Sequence, residues 1–334
     1  MRGTRVADVD VSDIQRKWGL ASFFGYAGTK TRVPLMDLTP LSVRSLRIGV
    51  LVNASSGGYE RGFENELEAV LKEMGCRLAK VWCVGGEAVD AALQDAQSLQ
   101  LAILIVLGGD GTHRAAAEMC STAGPYLVPL PGGTMNRLPK GLYGALGWQD
   151  ALRATLAAPT VQMVAGGRIG EKSFFVSAIV GNASLFAEAR EALRDGAIGK
   201  AVREGLEAMG KSFEGSLHYD FEGQSGQAQV VYVGCPLKQI GLRPDSLAFR
   251  VAAITRDGAL DALMLALRKV FPGAAADQMI HSTNVRHVEV RSDEAMPAVL
   301  DGETVDLGKV ALVDFVPAAF TALVPRRLPP RRSG

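Results

Sequence analysis

Residues 101–112 read LAILIVLGGDGT, an apolar run that stops on a glycine-rich, acid-bearing pentapeptide. The run 101–107 is long enough for a buried strand and far short of the ~20 residues that span a bilayer. Glycines after a strand let the backbone approach phosphate oxygens closely, and free N–H groups at the start of a following helix supply an anion site. Asp110 places one carboxylate beside that site, where it can hold Mg²⁺ directly or through water. The plainer alternative is a glycine-rich turn with Asp110 as a helix cap. At average residue usage GGDGT arises by chance at about 10⁻⁶ per position, so the phosphate-loop reading is preferred.

Around this segment the text alternates. Residues 47–53 (RIGVLVN) read as a buried strand, and 63–75 carry Phe63, Leu67, Val70, Leu71 and Met74 at helical spacing, with Gly75 as a C-cap. Strands over 77–84, 101–107 and 126–130 follow, separated by helices over 87–98 and from about Arg114 onward. Strands alternating with helices of this length predict a doubly wound, mostly parallel α/β sheet. After Pro159 the rhythm changes. Apart from a helical stretch near 185–209, short alternating strands appear at 161–169, 172–180, 215–221, 227–234, 247–255, 285–291 and 309–316. These predict a β-rich second domain of sandwich type. The organisation is therefore an N-terminal extension (1–44), an α/β domain (45–158), a β-rich domain (159–312) and a basic tail (326–334).

Two more small-residue loops fall at strand ends, where ligands of open α/β sheets bind. Asn53, Ala54, Ser55, Ser56, Gly57 and Gly58 follow the first strand, and Pro131-Gly132-Gly133-Thr134-Met135-Asn136 follows the fourth. Neither is a Walker A loop, and G-x-G-x-x-G is absent. Lys+Arg (36) and Asp+Glu (35) balance, which argues against a nucleic-acid partner. Cys76, Cys83, Cys120 and Cys235 show neither a C-x-x-C pair nor zinc spacing, as suits a reducing cytoplasm. The first thirty residues lack an apolar core segment, so no secretory signal is expected.

GGDGT after an apolar strand, an N-x-x-S-G loop before it and a G-G-T-x-N loop after it resemble the diacylglycerol kinase catalytic-domain family. That family includes soluble bacterial lipid kinases and sphingosine-kinase-like enzymes and shares its fold with NAD kinase; the resemblance covers about residues 46–325. It implies an ATP-binding first domain, a β-sandwich that closes the cleft, and a chain end (309–324) that returns to complete the first domain, over about 313–325. It implies that Asn53, Ala54, Ser55, Ser56, Gly57, Gly108, Gly109, Asp110, Gly111, Thr112, His113, Arg114, Thr134 and Asn136 line the ATP site. Of these, His113 reads by itself as a solvated residue at a helix start.

In the second domain, Asp257-Gly258-Ala259-Leu260-Asp261 resembles the family's D-G-x-L-D loop, which implies a magnesium site at Asp257, Leu260 and Asp261. Asp301-Gly302-Glu303 resembles the family's D-G-E, which implies Glu303 as general base; seen cold, each is a turn with solvated acids. The implied partner is a lipid at a membrane surface, met by a cytoplasmic, peripherally contacting protein, with a homo-oligomer left open. Arg326, Arg327, Arg331 and Arg332 read as a solubilising tail, with attraction to anionic lipid as the alternative. Three departures stand out: Ala54 for the family's Pro, Arg137 for an acid, and Trp82 at the place of a Thr. NAD kinase is the alternative enzyme, and a non-catalytic nucleotide-binding relic is the alternative class.

Overall fold

The computed structural model describes residues 38–121, 123–181, 216–236, 246–254 and 279–326. The expected helix near 185–209, the loop with Asp257, Leu260 and Asp261, and nearly all of the extension and tail lie outside the described residues. A short helix α1 (Pro40–Ser45), closed by a capping box between Thr39 and Ser42, leads into the first sheet.

That sheet contains β1 (Ile48–Asn53), β2 (Leu78–Val84), β3 (Ile103–Gly108) and β4 (Tyr126–Pro131), in the order β2-β1-β3-β4. All of these pairings are parallel. Every residue of β3 is buried, and so are the first five of β1. An all-apolar strand of that kind needs cover on both faces. Cover comes from α2 (Phe63–Glu73), α3 (Val89–Ser98), α4 (Asp110–Cys120), α5 (Arg137–Tyr143) and α6 (Trp148–Ala157), which turn Leu67, Leu93, Ala116, Leu142 and Leu152 into one core. The neighbouring strands β1, β3 and β4 all end at the same edge, so the three small-residue loops meet there.

β5 (Pro159–Ile169) and β16 (Val310–Pro325) then form a long antiparallel ribbon, from Pro325↔Pro159 to Val313↔Ile169. β16 also pairs in parallel with β4 at Ala322↔Leu127. Phe320, Leu323 and Val324 fill the first core, whereas Ala311, Val313 and Phe315 fill the second. The ribbon therefore belongs to both layers.

The second core lies between two sheets. One is the continuation of the first through β16, β13 (His287–Arg291), β8 (Leu217–Phe221) and β9 (Gln224–Ala228), with β6 (Lys172–Phe174) beside β5. The other is antiparallel throughout. It contains β12 (Met279–Val285), β11 (Phe249–Ile254), β10 (Val230–Gly234), β7 (Ser177–Gly181), β14 (Pro297–Leu300) and β15 (Glu303–Asp306), in that order. Phe249 meets Phe315 edge-on at 5.0 Å between ring centres, joining the two sheets.

Two of the single strands expected here are broken. Residues 172–180 divide because Phe174 turns into the second core while Phe175 turns into the first, against Phe320. Residues 227–234 divide at Gln229, whose N–H donates to the Ile254 carbonyl as the chain changes sheets. The hairpin β14–β15 was legible only as a turn. Asp301 (φ 51°) and Gly302 (φ 102°) are both left-handed, as a two-residue I′ turn requires.

Candidate active site

The three loops at the sheet edge are tied to one another before any ligand is considered. Asn53 Nδ2 donates to Thr112 Oγ1 at 2.8 Å, joining the end of β1 to the start of α4. Its Oδ1 accepts the Ser55 N–H at 2.9 Å, an Asx turn that shapes the first loop. Gly58 N–H donates to the Gly132 carbonyl and Gly132 N–H to the Gly108 carbonyl, each at 3.0 Å. A β-carbon on Gly133 would stand 2.5 Å from the Gly109 α-carbon, so only glycine allows these two backbones to touch. Asn136, left-handed at φ 51°, folds its loop by exchanging hydrogen bonds with the backbone of Gly133 at 2.8 and 2.6 Å. Thr134 faces the first loop, with its Oγ1 2.6 Å from where a β-carbon on Gly57 would be.

The start of α4 carries no side-chain cap. Its first N–H groups and the positive end of its dipole are therefore available to an anion. Three buried polar atoms nearby have no hydrogen-bond partner, Ser56 Oγ, Arg114 Nε and His113 Nδ1, of which the first two can donate. Unsatisfied donors beside an uncapped helix start fit a phosphate group. For a cation the fit is narrower. Asp110 Oδ1 already accepts the N–H groups of Arg137 (2.8 Å) and Leu138 (3.2 Å), so a metal would have to use the other oxygen. Among the described residues no cluster of three His, Cys, Asp or Glu side chains is placed to hold a metal.

The alternative reading of Asp110 as a cap holds for α5 rather than for its own helix, and the expectation for His113 is corrected. His113 is neither solvated nor within reach of a phosphate: it is fully buried, because the first turn of α4 presents it inward between β3 and β4. Its Nε2 lies 3.0 Å from the Leu130 carbonyl and 3.3 Å from that of Val106, which makes Nε2 the protonated nitrogen. Burial lowers its pKa, with Asp110 and the two carbonyls opposing.

The second domain reaches this edge through the β14–β15 hairpin. Asp301 is not a solvated turn acid. Its carboxylate accepts three successive N–H groups, from Phe175 (2.7 Å), Val176 (2.8 Å) and Ser177 (2.9 Å), and its own N–H donates to the Ser177 carbonyl. Burial raises its carboxyl to about 7, opposed by those donors. The clamp fixes the turn, and the turn carries Glu303 to α4. Glu303 Oε2 pairs with Arg114, and Oε1 lies 2.7 Å from where a β-carbon on Gly111 would stand. Arg114 in turn donates to Glu118 Oε1 at 3.2 Å. Its burial works against the charge, but Glu303 and Glu118 outweigh it and hold the guanidinium above its usual pKa.

Residues 47–166, from the start of β1 into β5, match the family model of the diacylglycerol kinase catalytic domain. That stretch resembles a diacylglycerol kinase catalytic domain. The fold extends the likeness beyond it. A diacylglycerol kinase from Bacillus anthracis str. Sterne is similar at 16% identity and a TM-score of 0.60, over 83% of this chain and 96% of that one. An NAD kinase from Archaeoglobus fulgidus in complex with ATP aligns over 84% and 94% at 11% identity, with a TM-score of 0.47.

Within the matched stretch, the departures from the family pattern have local settings. Ala54 donates its N–H to the Val84 carbonyl at 2.8 Å, a bond that proline could not make. Trp82 lies inside β2, buried, with Nε1 on Asp95 at 2.8 Å. It is a core residue, and the loop after that strand begins only at Gly85. Arg137 opens α5 with its N–H on Asp110 at 2.8 Å, and its charge, with that of Arg250, opposes the burial that pushes the Tyr232 phenol up to about 12. Sequence reasoning missed Glu118 and the anchoring role of Asp301. The i,i+4 spacing of Arg114 and Glu118 was the available signal for the first.

Proposed function

We propose that this protein is an ATP- and Mg²⁺-dependent kinase that phosphorylates the hydroxyl of a lipid of diacylglycerol or sphingoid type. One observation carries the reading: Glu303, from the second domain, presents Oε1 to the GGDGT loop of the stretch that matches the diacylglycerol kinase catalytic-domain model. A carboxylate at that place suits proton abstraction beside a phosphate site.

The uncapped start of α4, the first loop and the Gly132–Thr134 loop would bind the ATP phosphates through N–H groups and Ser56 Oγ. Asp110, through its second oxygen, would hold Mg²⁺, which when bound supplies charge neutralisation at the phosphates; the loop with Asp257, Leu260 and Asp261, the magnesium site that the resemblance implies, lies outside the described residues. Glu303 Oε1 would take the lipid hydroxyl proton as the lipid oxygen forms its bond to the γ-phosphorus. The β–γ bridging P–O bond breaks and ADP leaves with the electron pair. General-base help of this kind is typically worth 10²–10⁴-fold. The described residues contain no helix able to cross a membrane, so the lipid would be reached by peripheral contact with a bilayer surface.

The test is to incubate the protein with γ-labelled ATP, Mg²⁺ and mixed micelles containing diacylglycerol or sphingosine, and to identify the labelled product. A phosphorylated lipid is expected. Labelled NADP from added NAD would replace the reading with NAD kinase, and ATP binding without any transfer would replace it with a nucleotide-binding relic.

A further inference from the structure

Glu303 is held by a line of side chains that begins in the other part of the molecule. The Ser173 N–H of β6 donates to Glu118 Oε1 at 3.0 Å, and the same oxygen accepts Arg114 Nη1 at 3.2 Å. Arg114 Nη2 then pairs with Glu303 Oε2. Arg114 is only 17% exposed, so solvent screens its charge less than on an open surface, whereas Glu118 and Glu303 are open to solvent. The planar guanidinium transmits direction along with charge: with one nitrogen fixed by Glu118, the other can meet Glu303 over a narrow range of angles. That leaves the two Glu303 oxygens unequal, with Oε2 engaged and Oε1 over Gly111.

We propose that Glu118 is a positioning residue for the base: through Arg114 it engages one oxygen of the Glu303 carboxylate and so keeps the other turned to the phosphate loop. This rests on the reading of Glu303 as general base. Because Glu118 takes its other bond from β6, the aim of the base also depends on β6 lying against α4. The role needs an acceptor at position 118 more than it needs a charge.

The experiment compares E118A, E118Q and E303Q, with the E118A/E303Q double variant, in lipid phosphorylation, ATP calorimetry and urea unfolding. E118A should lower kcat at least tenfold while leaving ATP affinity and the lipid KM within about twofold. E118Q, which keeps an acceptor for both donors, should recover most of that loss. In the E303Q background E118A should lower kcat no further, since there is no base left to aim. Full kcat in E118A, with E303Q impaired, overturns the role of Glu118 and leaves the base reading standing. Full kcat in E303Q overturns the base reading itself. If no lipid is phosphorylated, unfolding decides whether the line exists: midpoint shifts of E118A and E303Q that simply add would refute it, and coupled shifts would uphold it.

Discussion

Glu303 and Arg114 stand 189 positions apart in the chain and form an ion pair that joins the β14–β15 hairpin to the first turns of α4. The pair brings the acid of the D-G-E turn to the GGDGT loop. The predictions concern what each side of that meeting contributes.

Glu303→Gln preserves shape and an acceptor for Arg114 but removes proton acceptance at Oε1. ATP affinity by calorimetry should stay near that of the parent protein, while kcat for lipid phosphorylation falls roughly 10²–10⁴-fold. Weaker ATP binding in proportion to the rate loss would assign Glu303 a structural or metal-holding part instead.

Gly111→Ala should separate stability from activity. Gly111 lies in the first turn of α4 without a positive φ, so alanine there is conformationally allowed and removes the ~1 kcal/mol helix cost of glycine. Its β-carbon would nevertheless stand 2.7 Å from Glu303 Oε1 and push the carboxylate aside. The melting temperature should hold or rise while kcat drops at least tenfold; unchanged turnover would mean that Glu303 does not work from this position.

Asp110 should show two separable functions. Asp110→Asn keeps an oxygen for the N–H groups of Arg137 and Leu138, so the melting temperature should be nearly unchanged, but phosphotransfer should fall by orders of magnitude. Asp110→Ala loses the cap of α5 as well, at a cost of about 1 kcal/mol in urea unfolding. Equal stability of the two variants would deny the cap, and an active Asn variant would deny the carboxylate a part in the chemistry.

His113 should give stability a pH dependence of defined sign. As pH falls through about 6.5 an unfolded histidine takes up a proton, whereas the buried ring, its pKa lowered by burial, does not. The unfolded state then binds more protons, so stability present above about pH 6.5 is lost below it, down to the folded pKa. Unfolding free energies between pH 8 and 5 should decline less steeply in His113→Gln than in the parent chain. Parallel curves would show that His113 titrates alike in both states.

Local patterns carried the parallel sheet, the three small-residue loops at its edge and the family resemblance, because each depends on neighbours in the chain. Apolar runs such as 103–107 demand burial on two faces, and glycines at strand ends permit close backbone approach wherever they occur. The burial of His113, the cap that Asp110 gives to another helix, and the clamp of three N–H groups on Asp301 were not legible. Each joins residues whose proximity is created by strand order, and polar side chains inside a fold take whichever partner packing delivers. The aim of Glu303 is the extreme case. Its residue type and turn were visible in D-G-E, but the direction in which its carboxylate points is set by Arg114, Glu118 and the backbone of β6, brought together only when the β5–β16 ribbon ties the two cores into one body.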